Sequence, residues 1–277
     1  MVTPRSTGAF SLDFVPEIHL ARAPLEKVLV QVQFSLTPEL VSDDGEQRLS
    51  AALTRYPVRR RGQSINVKIN PATASMENEV VTTRIFADPE SSWTVTVMET
   101  AVGLETVAYY SRDDFCDRAR EVFEAIVAVS TPPIVDRVGL RYIDRIRDVG
   151  DLERLDDYLN PRLRVLDGAV ASPLVVKHSV SDTVLQITED ELLKVRSGLL
   201  PPMAVSDPVL APIDTQSWVL DLDIFTATGG FPFDPDTLDA RLRLYAQHVY
   251  SFFRWATTDE FQEAFRDRPA TVSEDAS

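Results

Sequence analysis

From Pro24 onward the chain alternates. Val28, Val30, Val32 and Phe34 fall on one side of an extended segment, with Leu29, Gln31 and Gln33 on the other. That period of two predicts a strand with one buried face. Thr37-Pro38-Glu39 then leads into a polar helix carrying Leu49 and Leu53, ending near Thr54. Four β-branched or aromatic runs follow, at 65–70, 80–87, 93–99 and 104–110. Turn residues such as Asn70-Pro71 and Asp88-Pro89 separate them, so they predict an antiparallel meander. Ser111 is placed to cap a helix, and Asp113 and Asp114 sit in its first turn, where the macrodipole favours negative charge. Phe115, Ala119, Val122, Phe123 and Ile126 recur at helical spacing until Thr131-Pro132-Pro133.

The same order then returns. Val138, Leu140 and Tyr142 alternate on a strand, 151–159 reads as a short helix, and 173–180, 183–188 and 191–197 read as strands or hairpins. A proline-rich loop runs over 200–212. Trp218, Leu220, Leu222 and Ile224 form another strand face. Asp234 and Pro235 open a long helix with an apolar stripe through Leu238, Leu242, Tyr245, Val249, Phe252 and Phe253. Thr257 and Glu260 make a capping-box pattern for a last short helix carrying Phe261 and Phe265. The expectation is an α+β fold of two similar β-α-β4-α halves, 24–132 and 133–268, in the layout of TATA-binding-protein-like folds. One antiparallel sheet would carry the long helices on one face and leave the other as an open saddle. Residues 1–23 read as a loose arm and 269–277 as a disordered tail.

Three stretches carry a family resemblance. They are Leu20-Ala21-Arg22-Ala23-Pro24-Leu25 running into Val30-Gln31-Val32-Gln33-Phe34-Ser35; Arg137-Val138-Gly139-Leu140-Arg141-Tyr142-Ile143-Asp144-Arg145-Ile146; and Ala246-Gln247-His248 followed by Phe252 and Thr258-Asp259-Glu260-Phe261. Together they resemble an uncharacterised, sporadically distributed bacterial family, over nearly the whole chain. The arginine-rich strand is the most specific of the three. The resemblance brings no established activity; its patchy distribution implies mobile, defence or toxin–antitoxin genes.

Charge narrows the partners. The formal net charge is −15, which repels nucleic acid and anionic lipid and suits a basic protein partner. One local exception, Arg55 through Arg61 with four arginines, reads as a solvated loop with some arginines paired to surplus carboxylates, or as a phosphate or nucleic-acid contact. The single cysteine, Cys116, allows no internal disulfide, and no apolar run approaches the roughly 20 residues that span a bilayer. The expected setting is cytoplasmic, without a membrane.

Candidate chemistry is sparse. Arg137, Arg141 and Arg145 share one strand face, and Asp221 and Asp223 share the polar face of another. They form the candidate binding surface for an anion, a peptide or a protein, or else a set of cross-strand ion pairs. Gly139 between the arginines reads as a close approach or a bulge. Asp221-x-Asp223 alone has too few oxygens for a metal. His19, His178 and His248 have no metal-ligand spacing, and His248 reads as a satisfied helix-edge residue. Cys116 reads as a packing residue. No nucleophile elbow, phosphate loop or dinucleotide fingerprint occurs, so no catalytic residue, cofactor or metal is expected. The leading expectation is a non-catalytic protein acting through protein–protein contact. The alternatives are a small-molecule binder using a sheet–helix cleft near Trp218, Phe252 and Phe253, and an enzyme using Arg141, Asp221 and Asp223.

Overall fold

The computed structural model describes residues 9–70, 75–164, 174–204, 207 and 209–266. Among them are nine strands in one sheet and six α-helices. β1 (Leu25–Phe34) is followed by a 3-10 turn at Pro38–Val41 and α1 (Asp43–Ala52). Next come β2 (Val58–Asn70), β3 (Ser75–Ala87), β4 (Trp93–Met98), β5 (Ala101–Thr106) and α2 (Arg112–Val129). β6 (Val135–Ile146) leads through the single turns α3 (Val149–Leu152) and α4 (Leu155–Tyr158) to β7 (Ser179–Thr188) and β8 (Glu191–Leu200). β9 (Ser217–Thr226), α5 (Pro235–Ala256) and α6 (Asp259–Arg266) complete the order.

The sheet runs β2-β3-β4-β5-β1-β6-β9-β8-β7, and every neighbouring pair is antiparallel. β1 and β6 meet at its centre. Val28, Val30, Val32 and Phe34 are all buried, as are Val138 and Leu140 beside them. α2 and α5 cover this face, so one apolar core runs through both halves. Arg243 ties the two helices together, reaching Asp113 at 3.2 Å and Asp117 at 2.5 Å. The caps fall where the sequence puts them: the Ser111 hydroxyl accepts from Asp114 N at 3.2 Å, and the Asp234 carboxylate from Thr237 N at 2.9 Å. Among the described residues no helix is long and apolar enough to cross a membrane.

Several boundaries differ from the sequence reading. β2 begins at Val58, so Arg59, Arg60 and Arg61 lie in a strand and not in a loop. α1 makes this possible: its Glu46 takes Arg61 at 2.7 Å and Arg84 of β3 at 2.8 Å, a carboxylate pairing of the kind the charge surplus implied. β7 is one strand where a break was expected near residue 181. Ser181 and Asp182 pair with Ser197 and Arg196, and the Asp182 carboxylate accepts from Arg196 Nε at 2.8 Å. Residues 174–178 before it are irregular, so three strands follow the short helices of the second half among the described residues, against the four expected. Thr258 rather than Thr257 caps α6, accepting from Phe261 N at 3.2 Å; Thr257 instead donates to Phe253 O. The segment expected as a disordered tail lies outside the described residues.

Candidate ligand-binding site

The Arg/Asp face comes together as the alternation implies, and then closes on itself. Arg141 Nε and Nη2 donate to the two oxygens of Asp221 at 2.7 and 2.6 Å. Nη2 also reaches Asp207 at 2.8 Å, a residue of the proline-rich loop. Arg145 donates to Ala211 O at 2.8 Å and Ser217 Oγ at 3.2 Å. Arg137 lies 4.4 Å from the centre of the Phe225 ring and 3.5 Å from Asp223. Gly139 gives it room: a Cβ there would meet the Arg137 guanidinium at 2.9 Å. The glycine thus permits a close approach, and the β1–β6 register passes it unbroken. Leu210 of the loop packs with Ile143, Leu200 and Val219, so this part of the sheet is roofed where an open saddle was expected. Each of the three guanidiniums already has a partner within the chain.

The other face holds what sequence reasoning passed over. A cavity of about 610 Å³ opens between the sheet, α2 and α5. Its floor is Tyr142 and Asp144 of β6 with Leu222 of β9; Ala246, Val249, Tyr250 and Phe253 of α5 form one wall. Tyr109, Tyr110 and Arg112 form the opposite wall. β5 ends at Thr106 instead of continuing to 110, which frees Tyr109 to turn inward, while Tyr110 stays exposed at the rim. The roof is the arm at Glu17–Leu25.

That arm is held at defined points, not loose. Ile18 N donates to Tyr250 Oη at 2.8 Å, Ser251 Oγ to Asp13 O at 2.8 Å, and Arg22 pairs with Asp151 at 3.0 Å. The Phe10 ring packs edge-on against Phe252, which is how Phe252 comes to lie outside the cavity. Trp218 is also absent from its lining, being fully packed in the core. Of the three aromatics expected at a cleft, Phe253 alone lines it.

Asp144 is the unusual member. It is only 6% exposed, yet among the described residues no side chain or backbone N–H donates to its carboxyl. Burial raises its pKa to about 7, with a further push from the Asp221 charge. The β1–β6 register slips opposite it, between Leu25 and Lys27, the kind of irregularity that re-aims a side chain. The phenols of Tyr109 and Tyr142 lie 3.5 Å apart, and burial raises both pKa values, so both keep their protons. Glu17 on the roof is engaged with Tyr109 at 3.4 Å and Arg112 at 3.8 Å. Arg112 also lies 5.5 Å from the centre of the Tyr250 ring.

His248 is buried on α5 with Nδ1 unpartnered among the described residues, so it is not the satisfied residue expected; burial lowers its pKa. Cys116 is buried in the core, and burial pushes its thiol up to about 12, as suits a packing residue. Among the described residues no three His, Cys, Asp or Glu side chains gather to hold a metal ion. Compared with models of known protein families and with curated proteins, the chain matches none.

Proposed function

We propose that this protein binds a small molecule in the cavity between the sheet, α2, α5 and the N-terminal arm. One observation carries the reading: the Asp144 carboxyl is buried, has no donor from the described residues, and faces the cavity. A buried carboxyl without a partner is costly, and native structures leave few such groups without a reason. A ligand that completes its hydrogen bonds supplies one. The volume falls within the roughly 300–1,000 Å³ of small-molecule sites, and aromatic walls with few polar groups fit the same class. The protein–protein reading rests on the acidic surface, the lack of catalytic motifs and the resemblance's patchy distribution, with the Arg/Asp face as its candidate surface. Those side chains are already satisfied by Asp207, Asp221, Asp223 and Ser217, so that face offers a partner little.

The two halves are read here as copies of one unit in the TATA-binding-protein-like layout. The pairing of β1 with β6 at the sheet centre supports this, as does the place of α2 and α5 after each run of strands. Membership in the sporadically distributed family stays with this reading.

The test is native mass spectrometry of the full chain purified without denaturation, together with a fragment screen by ligand-observed NMR. The expected result is a bound small molecule or a set of fragment hits. Both would be lost in Ala246→Phe, provided that variant melts within a few degrees of the parent. A bare mass with no fragment hits would overturn the proposal.

A further inference from the structure

The charges on the cavity walls are unequal in what they have left to offer. Arg112 is the cation of the lining; Glu17 lies 3.8 Å from its Nε and the Tyr250 ring centre 5.5 Å from its guanidinium carbon, while its Nη2 is buried with no hydrogen-bond partner among the described residues. Glu17 is in turn committed to Arg112 and Tyr109. Asp144 is the carboxyl of the floor to which no described residue donates, whereas Asp221, on the far face of the sheet, is held by Arg141. The rings of Tyr109 and Tyr142 meet edge to face at 5.6 Å, and Tyr250 and Phe253 lie 6.2 Å apart on the facing wall. Aromatic faces attract cations, most strongly when water is excluded. A carboxylate floor with aromatic walls is therefore complementary to an organic cation, while an anion seated on the same floor would meet Asp144.

We propose that the cavity takes a protonated amine with an apolar body, its ammonium seated on the Asp144 carboxyl and its body against Tyr142, Tyr250 and Phe253. This rests on the reading of the cavity as a ligand site. An ammonium supplies the missing donors and neutralises the floor in one contact, whereas a neutral hydroxyl supplies a donor and leaves the charge.

Three probes of one shape separate these cases: tryptamine, tryptophol and indole-3-propionate, titrated into the full chain at pH 7.5 and followed by calorimetry or ligand-observed NMR. Tryptamine should bind at least tenfold more tightly than tryptophol, with the propionate weakest. Asp144→Asn should weaken tryptamine at least tenfold and leave tryptophol within about threefold; Asp144→Leu replaces it should the amide variant not fold. Glu90→Gln, at an exposed turn carboxylate outside the cavity lining, should leave tryptamine within threefold. Equal or tighter binding of tryptophol or the propionate overturns the amine while keeping the cavity as a site, and so does an unchanged tryptamine affinity in Asp144→Asn. No binding of any probe also overturns it; a bare mass and an empty fragment screen beside that result would remove the ligand-site reading as well.

Discussion

At the scale of single residues, Asp144 sets a definite pH dependence. Its carboxyl holds a proton up to about pH 7 in the folded chain, against an ordinary value of 3.8. Between those values the folded state keeps a proton that the unfolded state has released. Stability therefore falls as pH rises through this window, and the loss is complete above it. At about 1.36 kcal/mol per tenfold change in proton affinity, the full effect is roughly 4 kcal/mol. Asp144→Asn should thus melt at a higher temperature than the parent at pH 8, with the advantage shrinking toward pH 4. Thermal denaturation across that range checks it, and a parent as stable at pH 8 as the variant would contradict it. The residue was legible, though it went unread. Val138, Leu140 and Tyr142 mark the buried face of β6, and the next position on that face is Asp144, a charge where the pattern calls for an apolar side chain. The distance from Arg141 to Asp207 was not legible, because the loop carrying Asp207 is placed by the packing of Leu210.

Among the elements, those with strong periodicity were the ones the sequence located. β1, α2 and α5 each bury an uninterrupted apolar stripe, and their caps are local. β2 and β7 differ from the sequence expectation because their charges are answered across the sheet or from the preceding helix. Arg61 needs Glu46 of α1, and Asp182 needs Arg196 of β8. The β6–β9 pair depends on the same kind of contact. Arg141→Ala would leave Asp221, with its side chain only 6% exposed, buried and without its bidentate partner. Breaking such a pair costs about 3–5 kcal/mol. The double variant Arg141→Ala/Asp221→Ala should recover part of that loss in urea unfolding. A double variant less stable than Arg141→Ala would show that the pair does not act as a unit.

On the scale of the whole molecule, the surplus of carboxylates gives a net charge of −15, yet the charge is not spread evenly over function. Arginines on both faces of the sheet and along the helices are held by carboxylates of the same chain, as with Arg84, Arg141 and Arg243. What remains among the described residues is a main apolar core that both halves build and a smaller cluster under the proline-rich loop. The arm then has a consequence in time. It carries no helix or strand from Ala9 to Pro24, and it covers the cavity through a handful of contacts, the Arg22–Asp151 pair among them. A bound molecule leaves only as often as those contacts let go together, so residence time is set by the arm and occupancy by the floor. Arg22→Ala should accelerate tryptamine release in stopped-flow measurements with a smaller change at equilibrium, the faster opening serving arrival and departure alike.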